Sequence, residues 1–376
     1  MNIALISISA LRNPKEATRI TILELAQSLS EKGHNVTIIC RKAKNCQKTE
    51  KIGSVTLYRI INLSLLLTIG PALALNQIQK KLNIQFNIVH AFSATPLFAL
   101  SNYFTRLFHP KIKIINTLKS SSRHTFGDYG YFLLKSADKI TIPTSSFLDK
   151  INSSLHSRIE IIPSPVNLTK FYPQNKNNLK KKYGYQNTTI IFHYGAMWEN
   201  KGTNILIQSM PDIIKTIPDV LFLFAPRYKE ISSIQQQIEK ITNLNNHHKT
   251  TQDQKKKYEI ITTDIAIEEY VNLADIIVLP FLSLKGTESV PSCLLEAIAC
   301  KTPLVTTNLP EIKEIVKDTV LLAIPNNSHS LTECIKSWIN KPNTQMIEKA
   351  YHLAQKYSSE KIVNQFLKEY IRITTN

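Results

Sequence analysis

Glycine is scarce in this chain, at 9 residues of 376, where globular proteins average about 7%. No G-x-G-x-x-G run and no G-x-x-x-x-G-K-[ST] run is present. Both motifs need glycines where the backbone closes on a pyrophosphate, so neither the dinucleotide fingerprint nor the P-loop is available here. There is no H-E-x-x-H, which removes the commonest zinc-peptidase arrangement, and no D-x-D to hold a divalent metal on a nucleotide diphosphate. The five cysteines (Cys40, Cys46, Cys293, Cys300, Cys334) contain no C-x-x-C pair. Their odd number and scatter argue against a disulfide framework or a zinc site and fit a reducing compartment. Long apolar runs are missing too. The most apolar stretch, Leu63–Leu75, is short and carries Ser64, Thr68, Gly70 and Pro71, so it does not reach across a bilayer. The opening M-N-I-A-L-I-S-I-S-A lacks a basic flank and reads as a first strand rather than a signal peptide. A cytoplasmic protein is expected.

The length predicts two domains rather than one. The net charge is +18, and it is uneven: residues 1–165 hold 21 Lys/Arg against 8 Asp/Glu, residues 166–376 hold 25 against 20. Such an excess attracts polyanions, anionic headgroups or phosphorylated substrates. A lysine-rich solvated surface from codon bias reads equally well. No aromatic-interleaved basic motif or recognition helix supports a nucleic-acid partner.

Strand and helix patterns alternate nearly throughout. Strands are predicted at 2–9, 35–40, 55–61, 86–91, 112–117, 139–143 and 159–163, with helices at 17–31, 72–82 and 94–107. Pro163, Pro165 and Pro173 then bracket S-P-V-N-L-T-K-F-Y-P, the best linker candidate. The basic run K-N-N-L-K-K-K comes next, at 176–182. Strands at 188–195, 220–225, 276–280 and 304–307 alternate with helices at 203–217, 267–274, 291–300, 311–317 and 328–340. Polar residues 245–257 read as an exposed excursion, and one long amphipathic segment from Met346 to Arg372 closes the chain. Short buried strands separated by helices mean mostly parallel sheets covered on both faces. Two such blocks predict an α/β protein of two Rossmann-like domains facing across a cleft, with ligands at the C-terminal strand ends. The boundaries are 1–165 with a terminal helix at about 358–376, and 166–357.

One stretch carries an unusual pair of carboxylates. In E-S-V-P-S-C-L-L-E, Glu288 and Glu296 stand eight residues apart. Pro291 suits a first helical turn, where its missing N–H costs nothing. Glu288 then falls in the loop after a strand, and Glu296 about one and a half turns into an apolar helix. A buried carboxylate must be paired or hydrogen-bonded, and a sugar or ribose diol supplies two donors at suitable spacing. From spacing alone, Glu296 could equally cap an internal N–H or pair with a lysine.

The segment A-D-I-I-V-L-P-F-L…E-S-V-P-S-C-L-L-E-A-I-A-C-K-T-P-L-V-T-T-N-L-P-E-I-K-E-I-V resembles the signature of group 1 (family 4) glycosyltransferases. So do E-L-A-Q-S-L-S-E-K-G-H-N-V-T-I-I, F-N-I-V-H-A, I-I-P-S-P-V-N-L-T-K-F-Y-P, Y-G-A-M-W-E-N-K-G and A-Q-K-Y-S-S-E-K-I-V-N-Q-F-L-K-E-Y. The resemblance implies the GT-B fold, with the donor held mainly by the second domain and the final helix crossing back to the first. It implies a retaining, metal-independent transferase with no cofactor. The donor would be a UDP- or GDP-type sugar, and the acceptor a glycan or lipid-linked molecule of the cell envelope. In such enzymes the first glutamate of the pair lies near the donor sugar and the second binds the ribose, here Glu288 and Glu296. Ser289, Pro291 and Ser292 share that loop. Lys201 of Lys201-Gly202 would contact the diphosphate, next to the strand glycine Gly195. Independently, Lys201 lies between a strand and a helix N-terminus, where amides favour anions.

Four positions depart from the pattern. Ala196 stands where an arginine usually comes after the strand glycine. Glu16-Ala17 replaces a glycine pair, and Ala225-Pro226-Arg227 replaces a glycine-containing loop. Lys119 aligns with a histidine of the sugar site. Arg227 is a candidate to restore the lost charge. Lys119, His124 and His90 are candidates on the acceptor side; His124 reads more readily as an ordinary loop histidine, and His90 reads equally as a satisfied core histidine. The basic first domain and Leu63–Leu75 suggest docking on an anionic membrane at the inner face of the cell, but residues 63–75 read better as a buried helix and its approach. The rival reading is a non-catalytic binding subunit with a degraded diphosphate site.

Overall fold

The computed structural model describes the chain except residues 8–10, 12–16, 43–44, 61–65, 94–95, 120–131, 133, 228–230, 246–255, 286–289 and 376. The chain divides into two compact units: Met1–Pro165, Lys285–Val290 and Ser359–Asn376 form one, Val166–Leu284 and Pro291–Ser358 the other.

In the first unit β1 (Asn2–Ser7), β2 (Asn35–Arg41), β3 (Thr49–Ile52), β4 (Val55–Ile60), β5 (Ile88–Ser93), β6 (Lys113–Leu118), β7 (Lys139–Ile142) and β8 (Ile159–Ile161) make one sheet in the order 3-4-2-1-5-6-7-8. All pairings are parallel except β3 with β4. Ile3, Ala4, Leu5 and Ile6 are buried on both faces of the sheet, as a central parallel strand requires. One face is covered by α1 (Ala17–Glu31), whose Ile22, Leu25, Ala26 and Leu29 join the core. The other is covered by α2 (Leu66–Leu82) and α3 (Pro96–Phe108). Ala72, Leu75 and Ile78 of α2 are buried. Ala72, Ala74 and Leu75, at the end of Leu63–Leu75, therefore serve the core, as the buried-helix reading of that stretch expects, while Leu73 between them is exposed.

The second unit contains α4 (Lys176–Tyr183), β9 (Thr189–Gly195), α5 (Thr203–Thr216), β10 (Val220–Pro226), α6 (Ile231–Asn245), β11 (Tyr258–Ile260), α7 (Ile267–Leu273), β12 (Ile276–Leu279), α8 (Ser292–Ala299), β13 (Leu304–Thr307), α9 (Pro310–Val316), β14 (Leu321–Ala323), α10 (Ser328–Asn340) and α11 (Thr344–Ala354). Its sheet is wholly parallel, in the order 11-10-9-12-13-14. The basic run at 176–182 lies within the helix α4. Lys176 and Lys180 reach Asp275 at 3.3 and 2.5 Å, which fixes α4 against the start of β12.

The closing amphipathic segment forms two helices, the second beginning at Ser359, close to the terminal helix expected at about 358–376. After α11 the chain passes through a short turn, where Ser358 bridges to Val166. α12 (Ser359–Thr375) then packs on the first unit, giving Ile362, Val363, Phe366 and Tyr370 to its core. A buried Lys139–Glu369 pair at 3.4 Å holds the same helix to β7.

Candidate functional site

In the second unit the strand order reverses between β9 and β12. Ligands of open α/β sheets bind beyond the strand ends at such a reversal. Close packing sets the course of the chain beyond each of these two strands. β9 ends at Gly195, with φ 109°, and the chain turns through Glu199–Lys201 into α5. Gly202 takes a left-handed φ of 71°. A Cβ on it would lie 1.8 Å from the Pro280 carbonyl oxygen, so the loop leaving β12 passes directly against it. Leu282 donates to the Asn200 carbonyl at 2.9 Å, tying the same two loops. Lys201 is thereby held, with Nζ 4.8 Å from the centre of the Phe281 ring.

His193 fastens this corner from beneath. Nδ1–H donates to the Val278 carbonyl on β12 at 2.8 Å, and Nε2 accepts from the Thr203 hydroxyl at the start of α5, at 2.9 Å. Burial, with a small contribution from Lys201, lowers its pKa to about 4. It is therefore neutral near pH 7.

Glu296 is the fifth residue of α8. Part of its surface is open, but the carboxyl is closely surrounded, and burial raises its pKa above the ordinary value. Hydrogen bonds from Ser292 and Tyr194 oppose that rise, as does the charge of Arg227. The Tyr194 hydroxyl lies 3.0 Å from Glu296 Oε2 and 3.1 Å from the Cys293 carbonyl. Pro291 is the residue capping α8, one position before the first turn. Its carbonyl accepts from Leu294 at 3.1 Å.

Arg227 comes directly after β10, and its N–H donates to the Gly195 carbonyl at 2.8 Å. Its charge acts on both Glu296 and Cys293, and Lys201 acts on Cys293 too. Burial nonetheless pushes the Cys293 thiol up to about 12. Two cations from adjacent strand ends thus converge on the first turn of α8, whose amides also favour an anion. Beside the Lys201 turn, Met197, Trp198, Glu199, Thr203, Asn204 and Gln237 line a cavity of about 300 Å³.

Sequence models of two families match: "Glycosyl transferases group 1" over residues 175–353, and "Glycosyltransferase Family 4" over 19–170. The chain belongs to the group 1 glycosyltransferases. It is similar to the processive diacylglycerol alpha-glucosyltransferase of Acholeplasma laidlawii, 24% identical over 299 residues, 76% of this chain and 80% of that one. Among solved structures it is similar to sucrose-phosphate synthase of Thermosynechococcus elongatus, with TM-score 0.79 and 18% identity, covering 100% and 99% of the two chains. It is also similar to Anabaena HepE in complex with UDP and glucose, with TM-score 0.73 and 13% identity, covering 98% and 99%. The fold is that of the GT-B glycosyltransferases.

The glycosyltransferase's sheet brings together Gly195, Lys201, Arg227, Pro291, Ser292 and Glu296. Glu288, Ser289 and His124 lie outside the described residues. In the first unit Lys119 lies at the end of β6, with Nζ 5.6 Å from the centre of the Phe92 ring. Phe92, Thr117, Lys119, Pro143, Pro165 and Phe366 line a small cavity there of about 30 Å³. His90 lies beneath that cavity, fully buried. Its Nε2 is 2.5 Å from the Thr117 hydroxyl and its Nδ1 2.6 Å from the Tyr370 hydroxyl. Burial, then Lys119, lowers its pKa to about 3. His90 supports the cavity from below rather than lining it.

Sequence reasoning missed Tyr194 and His193. Their signal was the alternation at the end of β9, where consecutive side chains point to opposite faces. Among the described residues no group of three or more His, Cys, Asp or Glu is placed to hold a metal ion. Among them, too, no helix is long and apolar enough to cross a membrane.

Proposed function

We propose that this glycosyltransferase moves a sugar, with retention and without a metal, from a UDP- or GDP-type donor to a glycan or lipid-linked hydroxyl of the cell envelope. The observation that carries the donor side is the position of Glu296. It is an enclosed carboxylate at the sheet reversal, with the Tyr194 and Ser292 hydroxyls on it and Arg227 near it. A ribose diol supplies the remaining donors. The diphosphate would lie toward Lys201, Arg227 and the start of α8, where positive charge is worth most as the leaving group becomes more negative. Arg227 takes the place of the arginine missing at Ala196. Glu288 would orient the sugar. The acceptor hydroxyl would attack from the leaving-group side and pass its proton to the departing phosphate, so no dedicated base is required.

UDP is the first nucleotide to try, since HepE is described in complex with UDP and glucose. Titration calorimetry with UDP, GDP and their sugars tests the reading against Glu296→Ala. Binding of one nucleotide, weakened by the substitution, is expected. Turnover of the matching sugar donor should persist in a chelator. Tight binding without transfer or hydrolysis of any donor would instead favour a non-catalytic binding subunit.

A further inference from the structure

The first unit carries one continuous aromatic patch on its surface. Leu107, Phe132, Phe108 and Tyr103 are 61%, 55%, 47% and 42% exposed. Their rings form a chain: Phe132 to Tyr103 at 6.0 Å, Tyr103 to Phe104 at 5.9 Å, Phe104 to Phe108 at 6.3 Å. α2 meets it where His109 Nε2 reaches the Ala72 carbonyl at 3.0 Å. The neighbouring Leu73 is 43% exposed. Scattered exposed side chains need no explanation, but a joined aromatic patch marks an interaction surface.

Charge around the patch identifies the partner. Arg106 of α3 gathers three backbone carbonyls, donating to those of Pro110 and Ile112 at 3.3 and 3.1 Å and of Ser136 at 3.5 Å, and it pairs with Asp138. That places the exposed Lys111 and Lys135 at the same end of α3. Lys113 follows on the same connection, and the exposed Arg158 donates to the Lys135 and Ala137 carbonyls at 3.1 and 3.2 Å. The carboxylate there, Asp138, is taken up by its pair with Arg106. That excess of positive charge suits a uniformly anionic sheet of headgroups. Tyr and Phe suit the boundary between headgroups and acyl chains, and each nearby lysine adds attraction to anionic lipid.

We propose that the face formed by Tyr103, Leu107, Phe108 and Phe132, flanked by Lys111 and Lys135, docks on an anionic phospholipid bilayer. The aromatic and leucine side chains enter the interface, and the lysines sit among the headgroups. The site differs from the expected one: the buried part of Leu63–Leu75 is excluded, and α3 takes its place. It deepens the acceptor reading by bringing a lipid-linked substrate to the enzyme, but it does not depend on the donor.

The test is co-sedimentation of the full chain, without nucleotide, with phosphatidylglycerol/phosphatidylcholine vesicles and with pure phosphatidylcholine. Binding to the anionic vesicles is expected, weakened in high salt. Leu107→Ser with Phe108→Ser, and separately Lys111→Glu with Lys135→Glu, should each lower it at least about tenfold. A Phe108→Trp chain, which retains an aromatic ring, should blue-shift on the anionic vesicles and be quenched by brominated lipid. No binding of the wild type at low salt would overturn the proposal. So would binding that both pairs of substitutions leave intact, or a Phe108→Trp spectrum unchanged by vesicles. Self-association through this face without vesicle binding would assign it to a second copy instead. Nucleotide binding, measured separately without lipid, tells failure here from failure of the donor reading.

Discussion

The Tyr194 hydroxyl stands 3.0 Å from Glu296 Oε2. One residue is the last but one of the strand on one side of the sheet reversal, and the other lies in the helix that comes after the strand on the opposite side. The contact joins the two walls of the proposed nucleotide site. Tyr194→Phe removes a donor while keeping the ring. Nucleotide affinity should fall by about 3- to 10-fold, the worth of one hydrogen bond. Calorimetry on the folded variant measures it.

Glu296 has its pKa raised by burial, and only its ionised form accepts two ribose hydroxyls. Nucleotide affinity should therefore weaken on acidification at a higher pH than an ordinary carboxylate would impose. Glu296→Gln should bind more weakly at neutral pH and lose this part of the pH dependence. Comparing the two proteins across pH cancels the titration of the phosphates themselves.

Lys201 and Arg227 both act on the first turn of α8. If they meet the leaving diphosphate, Lys201→Ala should lower turnover by about 10²–10³-fold, more than it weakens nucleotide binding. Arg227→Ala should act in the same direction, and Arg227→Lys should restore part of the loss. Steady-state kinetics with the donor found by calorimetry checks both.

Gly202 tolerates no side chain, because Pro280 lies where a Cβ would go. Gly202→Ala must displace the loop after β12 as well as hold a strained left-handed residue. A destabilisation of about 2–4 kcal/mol is expected, seen in denaturant unfolding. Lys201 should be displaced with it, so nucleotide binding falls as well.

His90 and His193 have folded-state pKa values of about 3 and about 4, below the ordinary 6.5. The folded protein then binds fewer protons than the unfolded chain. Their contribution is complete above about pH 6.5 and is lost as pH falls toward those lower values. Each adds up to about 1.4 kcal/mol per pH unit of acid sensitivity. Denaturant unfolding between pH 4 and 7, compared with His90→Gln, should show a shallower slope in the variant.

The α/β alternation was legible because buried parallel strands are short apolar runs and their helices are amphipathic. β1, β5, β9 and β12 were visible for that reason. β3, β11 and β14 were not. They are edge or near-edge strands of three or four residues, too short for a periodic signal. The basic run at 176–182 does not show its helix in the sequence because its partner, Asp275, is remote along the chain. The break before α12 depends on Ser358 pairing with Val166, another distant contact.

The same division holds at the site. Glu296 drew attention from local order, as an acid inside an apolar helix, whereas Lys201-Gly202 came from the family resemblance, with its place before a helix start in agreement. Tyr194 and His193 looked like ordinary strand residues until β9 lay against β12. His90 could be placed on either side of a surface from sequence, and only the packing of α12, through Tyr370, put it in the core. Composition by itself determined that the first 165 residues are strongly basic, and the alternation of short apolar runs with amphipathic helices that the chain must bury two mostly parallel sheets. Tertiary structure decided which apolar residues of that basic unit are left outside. A helix pattern tells how many faces are apolar, and only the neighbours show which of them are already covered.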